Sequence, residues 1–411
     1  MPGRHFGITR TGRPKASYTA PKPRLGCLNV AHVLMMILAR AGFVFPPACD
    51  DFCCGFVHND DFMNGERKSP AASGGTAKAE TAAPLPVALR KKLLLLVASV
   101  LVALGVAETG LRIGFRDALA LVQDERSLMY RYDPVLGWFP VPGRSNRFVA
   151  SRPITIVNNS QGFRGPEYRP DDRPGLLFLG DSFVWGFDVD AQERFTDRLQ
   201  ARHPEWNVFN VGVSGYGTDQ EFLLLQRYFD TFKPRVVFLI VSTETDEADN
   251  RTNLYYGYYK PYYLVEQNEL RLRGVRVPRG ERVFWIDHPL LSRSYLVRLL
   301  VRSWFKLRAP PKLHNPSPTG LLIRDLKRYV ESRGAAFVIG MTSGTPVTDQ
   351  FLSHFNIPFV DLNTPLRYPA WGNHWTPEGH KFVCDKVEEF LLKGNYLAGR
   401  PTPGPVGSRL P

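Results

Sequence analysis

The sequence predicts an α/β protein with a parallel sheet covered by helices on both faces, on three observations. First, short apolar runs recur at residues 175–180, 207–211, 235–241, 336–341 and 358–362, and continuous rather than alternating runs of this length read as strands buried on both sides. Second, amphipathic stretches with helix-start signals lie between them, and strand–helix alternation implies parallel pairing through crossovers. Third, the 411 residues are 44% hydrophobic and 22% charged, the composition of an ordinary globular chain. That composition excludes wholesale disorder and a many-spanning membrane protein.

Each element has its own warrant. Thr218-Asp219-Gln220-Glu221 reads as a capping box that opens a helix carrying Phe222, Leu225, Tyr228 and Phe229. Thr376-Pro377 reads as an N-cap followed by proline in the first helical turn, opening a helix through Val383, Val387 and Leu391. No internal repeat is apparent.

Charge and cysteine belong mostly to a leader. Of the 52 basic and 39 acidic residues that give a net charge of +13, residues 1–92 hold 13 and 6. The surplus left for the 319 residues that follow is too diffuse to propose nucleic acid as a partner. Cys27, Cys49, Cys53 and Cys54 lie in the first 54 residues and only Cys384 in the body, so no disulfide framework spans it. Cys49, Cys53, Cys54 and His58 lack the spacing of a zinc site, and no metal is assigned. Residues 1–86 read as a disordered extension or as sequence preceding a biological start near Met63, with 63–86 of linker composition.

Arg90-Lys91-Lys92 precedes an uninterrupted apolar run at 93–107, followed by Glu108 and Arg112. A basic flank before such a run is a targeting signature, so residues 87–115 read as a signal-anchor helix with its basic end cytoplasmic and the remainder exported. Gly105-Val106-Ala107 would also serve as a cleavage site, which keeps secretion as the alternative.

Functional residues of parallel sheets collect at the carboxyl ends of strands. Gly180-Asp181-Ser182 places a serine directly after the first strand, where a helix begins and its N–H groups face a developing oxyanion. Asn210-Val211-Gly212 follows the second strand; Gly215-x-Gly217 in the same loop resembles a dinucleotide loop, but Gln220 stands where a third glycine is needed. Thr245-Asp246 follows the third strand. His374 lies just before the last helix, and histidine is the side chain whose pKa suits activation of a serine.

In their order these blocks resemble the SGNH (GDSL-type) hydrolase superfamily, on GDSFVWG around Ser182, NVGVSGYGTDQ around Gly212 and NHWTPEGH around His374. The chain is further similar to a bacterial membrane-anchored subgroup, on Glu108-x-x-x-Arg112, the Asp133–Trp138 segment and Gly162-Phe163-Arg164-Gly165. The resemblance covers roughly residues 90–395. It implies a three-layer, flavodoxin-like α/β/α domain at 174–395, a segment at 116–173 packed on it, and a disordered tail at 396–411.

It also implies Ser182 as nucleophile, His374 as base and then acid, and the Ser182 and Gly212 N–H groups as oxyanion donors with Thr245. Asp181, Asn373 and Asp246 are supporting residues, and no cofactor is implied. Two departures stand out. Thr245 replaces an asparagine, and Trp371 and Gly372 occupy the places of the carboxylate that orients the histidine, a role for which Asn373, Glu378 or a backbone carbonyl would have to substitute. The implied activity is that of an exported serine ester hydrolase or acyltransferase on acylated envelope carbohydrate, with a catalytically degenerate SGNH-like binding protein in polysaccharide assembly as the alternative. The aromatic stretch 255–263 suits a sugar or amphipathic ester, or a lid packed on the core.

Overall fold

The computed structural model describes residues 86–397, apart from 243–244, 312, 314–315, 344–351 and 371. The leader expected at 1–86, with its cysteines and the start at Met63, lies outside these residues except for Pro86. So does the tail beyond Leu397. The chain divides into two compact units, Met1–Leu96 and Val97–Pro411. A 28-residue helix, Val87–Gly114, has no buried residue. Among the described residues it alone is long and apolar enough to cross a membrane.

In the second unit, two antiparallel hairpins come before the sheet. They are formed by β1 (Tyr130–Asp133) with β2 (Gly137–Pro140), and by β3 (Ser145–Val149) with β4 (Pro153–Val157). The first turns through the Asp-Pro segment, where Asp133 Oδ1 accepts from the N–H groups of Val135 (2.9 Å) and Leu136 (2.8 Å). Trp138, on β2, is fully buried against Tyr216 and Tyr258.

The sheet comprises β5 (Gly175–Leu179), β6 (Asn207–Asn210), β7 (Val236–Ser242), β12 (Ala336–Ser343) and β13 (Phe359–Asp361). Four short strands, β8 (Leu254–Tyr255), β9 (Tyr258–Tyr259), β10 (Tyr262–Glu266) and β11 (Glu269–Arg273), intervene between β7 and β12 as two hairpins. All pairings in the main sheet are parallel, in the order β13-β12-β7-β5-β6. Counted by first appearance, this is the flavodoxin-like order 2-1-3-4-5, and its topological switch falls between β5 and β7. Each observed strand lies within two residues of the run that predicts it.

Alternate side chains of these strands enter two separate cores. Leu177, Leu179, Val237, Leu239 and Ile339 meet the helices Thr218–Phe232 and Thr319–Ser332 together with Trp138 and Phe163. Leu176, Phe178, Val236, Phe238 and Val338 meet the helices Phe195–Arg202 and Pro377–Lys393. Burial on both faces is why the strands read as continuous apolar runs. Tyr396, two residues beyond the last helix and its Gly394 cap, is buried against Phe390.

The two predicted helix starts differ in outcome. Thr376 caps its helix, its hydroxyl accepting from Gly379 N–H at 3.2 Å with Pro377 first in the helix. At the other, Gly217 is the cap and Thr218 is already helical. The reciprocal bond comes from Gln220, whose Oε1 accepts from Gly217 N–H at 3.4 Å. Glu221, in the first turn of this helix, is buried in an acidic group at the sheet's carboxyl edge.

Candidate active site

Ser182 and His374 meet. Ser182 opens the short helix Ser182–Trp185 directly after β5, and His374 precedes the last helix. Ser182 Oγ lies 2.7 Å from His374 Nε2 across 192 residues of sequence. Asp181 caps the helix, its Oδ1 accepting from Phe183 N–H at 2.9 Å. As first residue of a helix, Ser182 has an N–H with no preceding helical carbonyl to bond.

The His374 ring is 93% buried and is held by aromatic packing. It stacks on Phe187, with centroids 4.4 Å apart and planes at 28°, and contacts Phe183 at 5.1 Å. Gly372 lies against the same ring: a Cβ there would come within 2.7 Å of His374 Cε1, and its φ of +93° is unfavourable for other residues. The position that resembles an orienting-carboxylate site is thus sterically reserved for glycine. Asn373 is exposed in a left-handed turn at φ +58°. Glu378 is exposed on the first turn of the last helix.

The other sequence-derived site residues are placed as follows. Gly212 packs tightly on the Ser182 helix, since a Cβ would approach Trp185 N to 2.6 Å and Val184 Cβ to 2.7 Å. Its N–H, however, donates to Asn210 Oδ1 at 3.1 Å, so in this arrangement it is shared with a side chain. Asn210 also donates through Nδ2 to Val184 O (2.7 Å) and Thr196 Oγ1 (2.8 Å), tying the second strand's end to the Ser182 helix. Thr245 is exposed and its side chain makes no cap bond to the helix Asp246–Asp249. Asp246 is buried, and its Oδ2 accepts from Ser242 N–H at 2.9 Å.

Around these residues lies an acidic group, of which the sequence reading singled out Asp181 and Asp246 and missed Glu221, Asp249 and Asp219. Asp181, Asp246, Glu221, Asp249 and Asp219 are all buried near the carboxyl ends of β5 and β7. Burial pushes Asp181 up to about 6 and Asp249 up to about 7. It also pushes Asp246 and Glu221 well above the carboxylate range, with the neighbouring acids adding to the rise. The rise favours the neutral form of each of these acids, most for Asp246 and Glu221. Asp219 is the exception with a cation: Lys260 Nζ lies 2.5 Å from its Oδ2, both side chains fully buried, and Nζ also donates to Asp249 O at 2.9 Å. The available signal was the lone lysine inside the aromatic stretch 255–263. That stretch divides, with Tyr258 and Tyr263 buried in the core and Tyr256 half exposed, stacked on Arg126 at 3.6 Å.

Two buried arginines brace the turn after Ser182. Arg164, from the Gly-Phe-Arg-Gly element, donates to the carbonyls of Gly186 (2.5 Å), Val189 (2.6 Å) and Trp185 (3.3 Å). Arg194 donates to Arg164 O at 2.9 Å and pairs with Asp197. His380 is buried, and burial with its arginine neighbours drives its pKa well down, so it serves as a neutral acceptor for Phe195 N–H at 3.3 Å.

No family model and no curated protein matches the chain. Among solved structures it is similar to a member of the lipolytic protein G-D-S-L family from Veillonella parvula, at 11% identity over 52% of this chain and 96% of that one, with a TM-score of 0.31. It is also similar to a psychrotrophic esterase from Pseudoalteromonas (10%, 53% and 97%, 0.30) and to a lipase/acylhydrolase from Enterococcus faecalis (12%, 53% and 95%, 0.31). What the chain itself can do is read from Ser182, His374 and their surroundings.

Proposed function

We propose that the protein is a membrane-anchored serine ester hydrolase or acyltransferase of SGNH type, working through a Ser182–His374 dyad. One observation carries the reading: a serine at a helix N-terminus beside the sheet's topological switch, 2.7 Å from the Nε2 of a buried histidine. The Ser182 hydroxyl gives its proton to His374 Nε2 as Oγ bonds to the acyl carbon, and the carbonyl electron pair moves onto oxygen. Collapse breaks the bond to the alcohol oxygen, which leaves with the proton from His374. A water or sugar hydroxyl then passes its proton to His374 as its oxygen bonds to the acyl carbon, and the acyl–Oγ bond breaks as His374 returns the proton to Ser182.

The Ser182 N–H is the oxyanion donor open in this arrangement, and Gly212 N–H joins it only by sharing its hydrogen bond with Asn210. Loss of one such donor costs on the order of 10²–10³ in rate, so a slow enzyme is expected. Packing on Phe187 and Phe183 contributes to holding the ring. The proposed substrate is an ester, in the first instance an acetyl group on an envelope polysaccharide, met on the extracytoplasmic side of the membrane.

The engaged Gly212 N–H and the exposed Thr245 favour a second reading, a degenerate site that binds acylated carbohydrate without turnover. One experiment separates them. Wild type, Ser182→Ala and His374→Ala are treated with a fluorophosphonate probe and assayed on p-nitrophenyl acetate. The enzyme reading expects labelling at Ser182 and hydrolysis that both variants lose. Equal rates for all three proteins with no labelling would reject it.

A further inference from the structure

The helix Tyr295–Leu307 is amphipathic, but its apolar face points away from the body. Leu300, Trp304 and Leu307, at spacing i, i+4, i+7, are 45%, 52% and 72% exposed. Arg298 and Arg302, on the opposite face, bond inward. Arg298 donates to Ser292 O (2.5 Å) and Leu119 O (3.2 Å), while Arg302 pairs with Glu281 (3.0 Å) and donates to Ala118 O. Leu290 and Leu291, just before the helix, extend the apolar surface. A water-facing helix would carry the reverse arrangement.

The start of this helix is clasped to the end of the apolar helix. Glu108 is the first charged residue after the run that ends at Ala107. Its carboxylate accepts from Tyr295 N–H and Leu296 N–H, both at 2.9 Å, and from Ser294 Oγ at 2.8 Å. Arg112 bonds Glu108 at 2.8 Å and donates to Arg293 O at 2.7 Å. The amphipathic helix therefore begins at the level where the apolar run gives way to charge, which for a spanning helix is the headgroup region. Arg293, Lys306 and Arg308 are exposed around the apolar stripe, and the Arg308 guanidinium lies 3.6 Å from the Trp304 ring centroid. An apolar stripe with tryptophan and flanking cations is the composition of a helix seated in a lipid interface.

We propose that the Tyr295–Leu307 helix lies on the bilayer surface, with Leu300, Trp304 and Leu307 among the lipid chains and Arg293, Lys306 and Arg308 toward anionic headgroups. Glu108 and Arg112 fix it to the anchor, so the body is held down on the membrane rather than tethered above it. This inference rests on the reading of Val87–Gly114 as a membrane-spanning helix.

The test reconstitutes the full chain in phosphatidylcholine vesicles containing some phosphatidylglycerol, with and without brominated acyl chains. Wild-type tryptophan emission should be quenched by the brominated lipid, and most of that quenching should vanish in Trp304→Phe. Leu307→Asp, which keeps Trp304, should reduce the quenching severalfold, while all three proteins stay with the vesicles after a carbonate wash. Wild type removed by the wash would overturn the anchor reading and this inference with it. Retained protein whose quenching is unchanged by Trp304→Phe overturns this inference alone. So does a Trp304 that is blue-shifted yet unquenched, since it would then be covered by protein, such as a second copy.

Discussion

Placing a carboxylate at position 372, one of the two places where the resemblance expects an acid that orients the histidine, is the obvious change to try at the Ser182–His374 pair. The structure predicts that Gly372→Asp damages the site instead. A Cβ at 372 would sit 2.7 Å from His374 Cε1 and 3.3 Å from Nδ1, whereas ordinary contact begins near 3.4 Å. The ring must retreat by about 0.7 Å, and Phe187 and Phe183 already pack on it. A displacement of about 1 Å in a catalytic group costs on the order of 10² in rate. The backbone adds its own penalty, since a φ of +93° for a residue with Cβ costs roughly 1–2 kcal/mol. Gly372→Asp and Gly372→Ala should therefore lose kcat/KM on p-nitrophenyl acetate by similar factors, on the order of 10², and label more slowly with fluorophosphonate. Thermal denaturation should show both variants destabilised. An aspartate variant as fast as wild type, or faster than the alanine variant by a factor of ten or more, would refute the steric reasoning.

Three further outcomes follow from buried charge. Lys260→Met strands Asp219 without its cation and should destabilise the fold by about 3–5 kcal/mol in urea titrations, with Asp219→Asn added to it recovering much of the loss. Arg164→Met removes the Arg164 donor from the carbonyls of Gly186 and Val189, at roughly 1–3 kcal/mol each, while Trp185 O keeps the bond from Arg194; hydrogen exchange should rise first in the turn after Ser182. Asp249 is raised from 3.8 to about 7, so the folded state holds its proton more tightly than the unfolded chain. Its contribution is therefore fully present below about pH 4 and is lost as the pH rises toward 7. Relative to wild type, Asp249→Asn should gain stability across that window, by up to about 1.4 kcal/mol per pH unit, and a pH-independent difference would count against the assignment.

Much of this protein was legible without coordinates. The five core strands were readable because a strand buried on both faces must be apolar throughout, and Gly175, Val236 and Phe359 open strands where the runs place them. The start of the last helix was readable because Thr376 and Pro377 act locally. Ser182 and His374 were singled out by their places at the end of the first strand and before the last helix.

What the sequence alone determined is therefore local: which segments are strands and helices, where the apolar anchor-like run lies, and which residue types stand at the ends of the strands. Only the tertiary structure decided relations between distant residues. Gly217 rather than Thr218 caps its helix, and Glu221 in that helix joins a buried acidic group drawn from three helix starts. Lys260 is a core residue because Asp219, 41 residues away, meets it in a water-excluded site. Gly372 is required because a ring 2.7 Å away leaves no room for Cβ. The Tyr295–Leu307 helix turns its apolar face outward because Arg298 and Arg302 find carbonyls of Leu119 and Ala118 behind it. Periodicity and capping act within a few residues and leave a trace in the sequence; burial, ion pairing and steric contact depend on how side chains meet, across separations of 41 and 179 residues here, and leave none until the chain is folded.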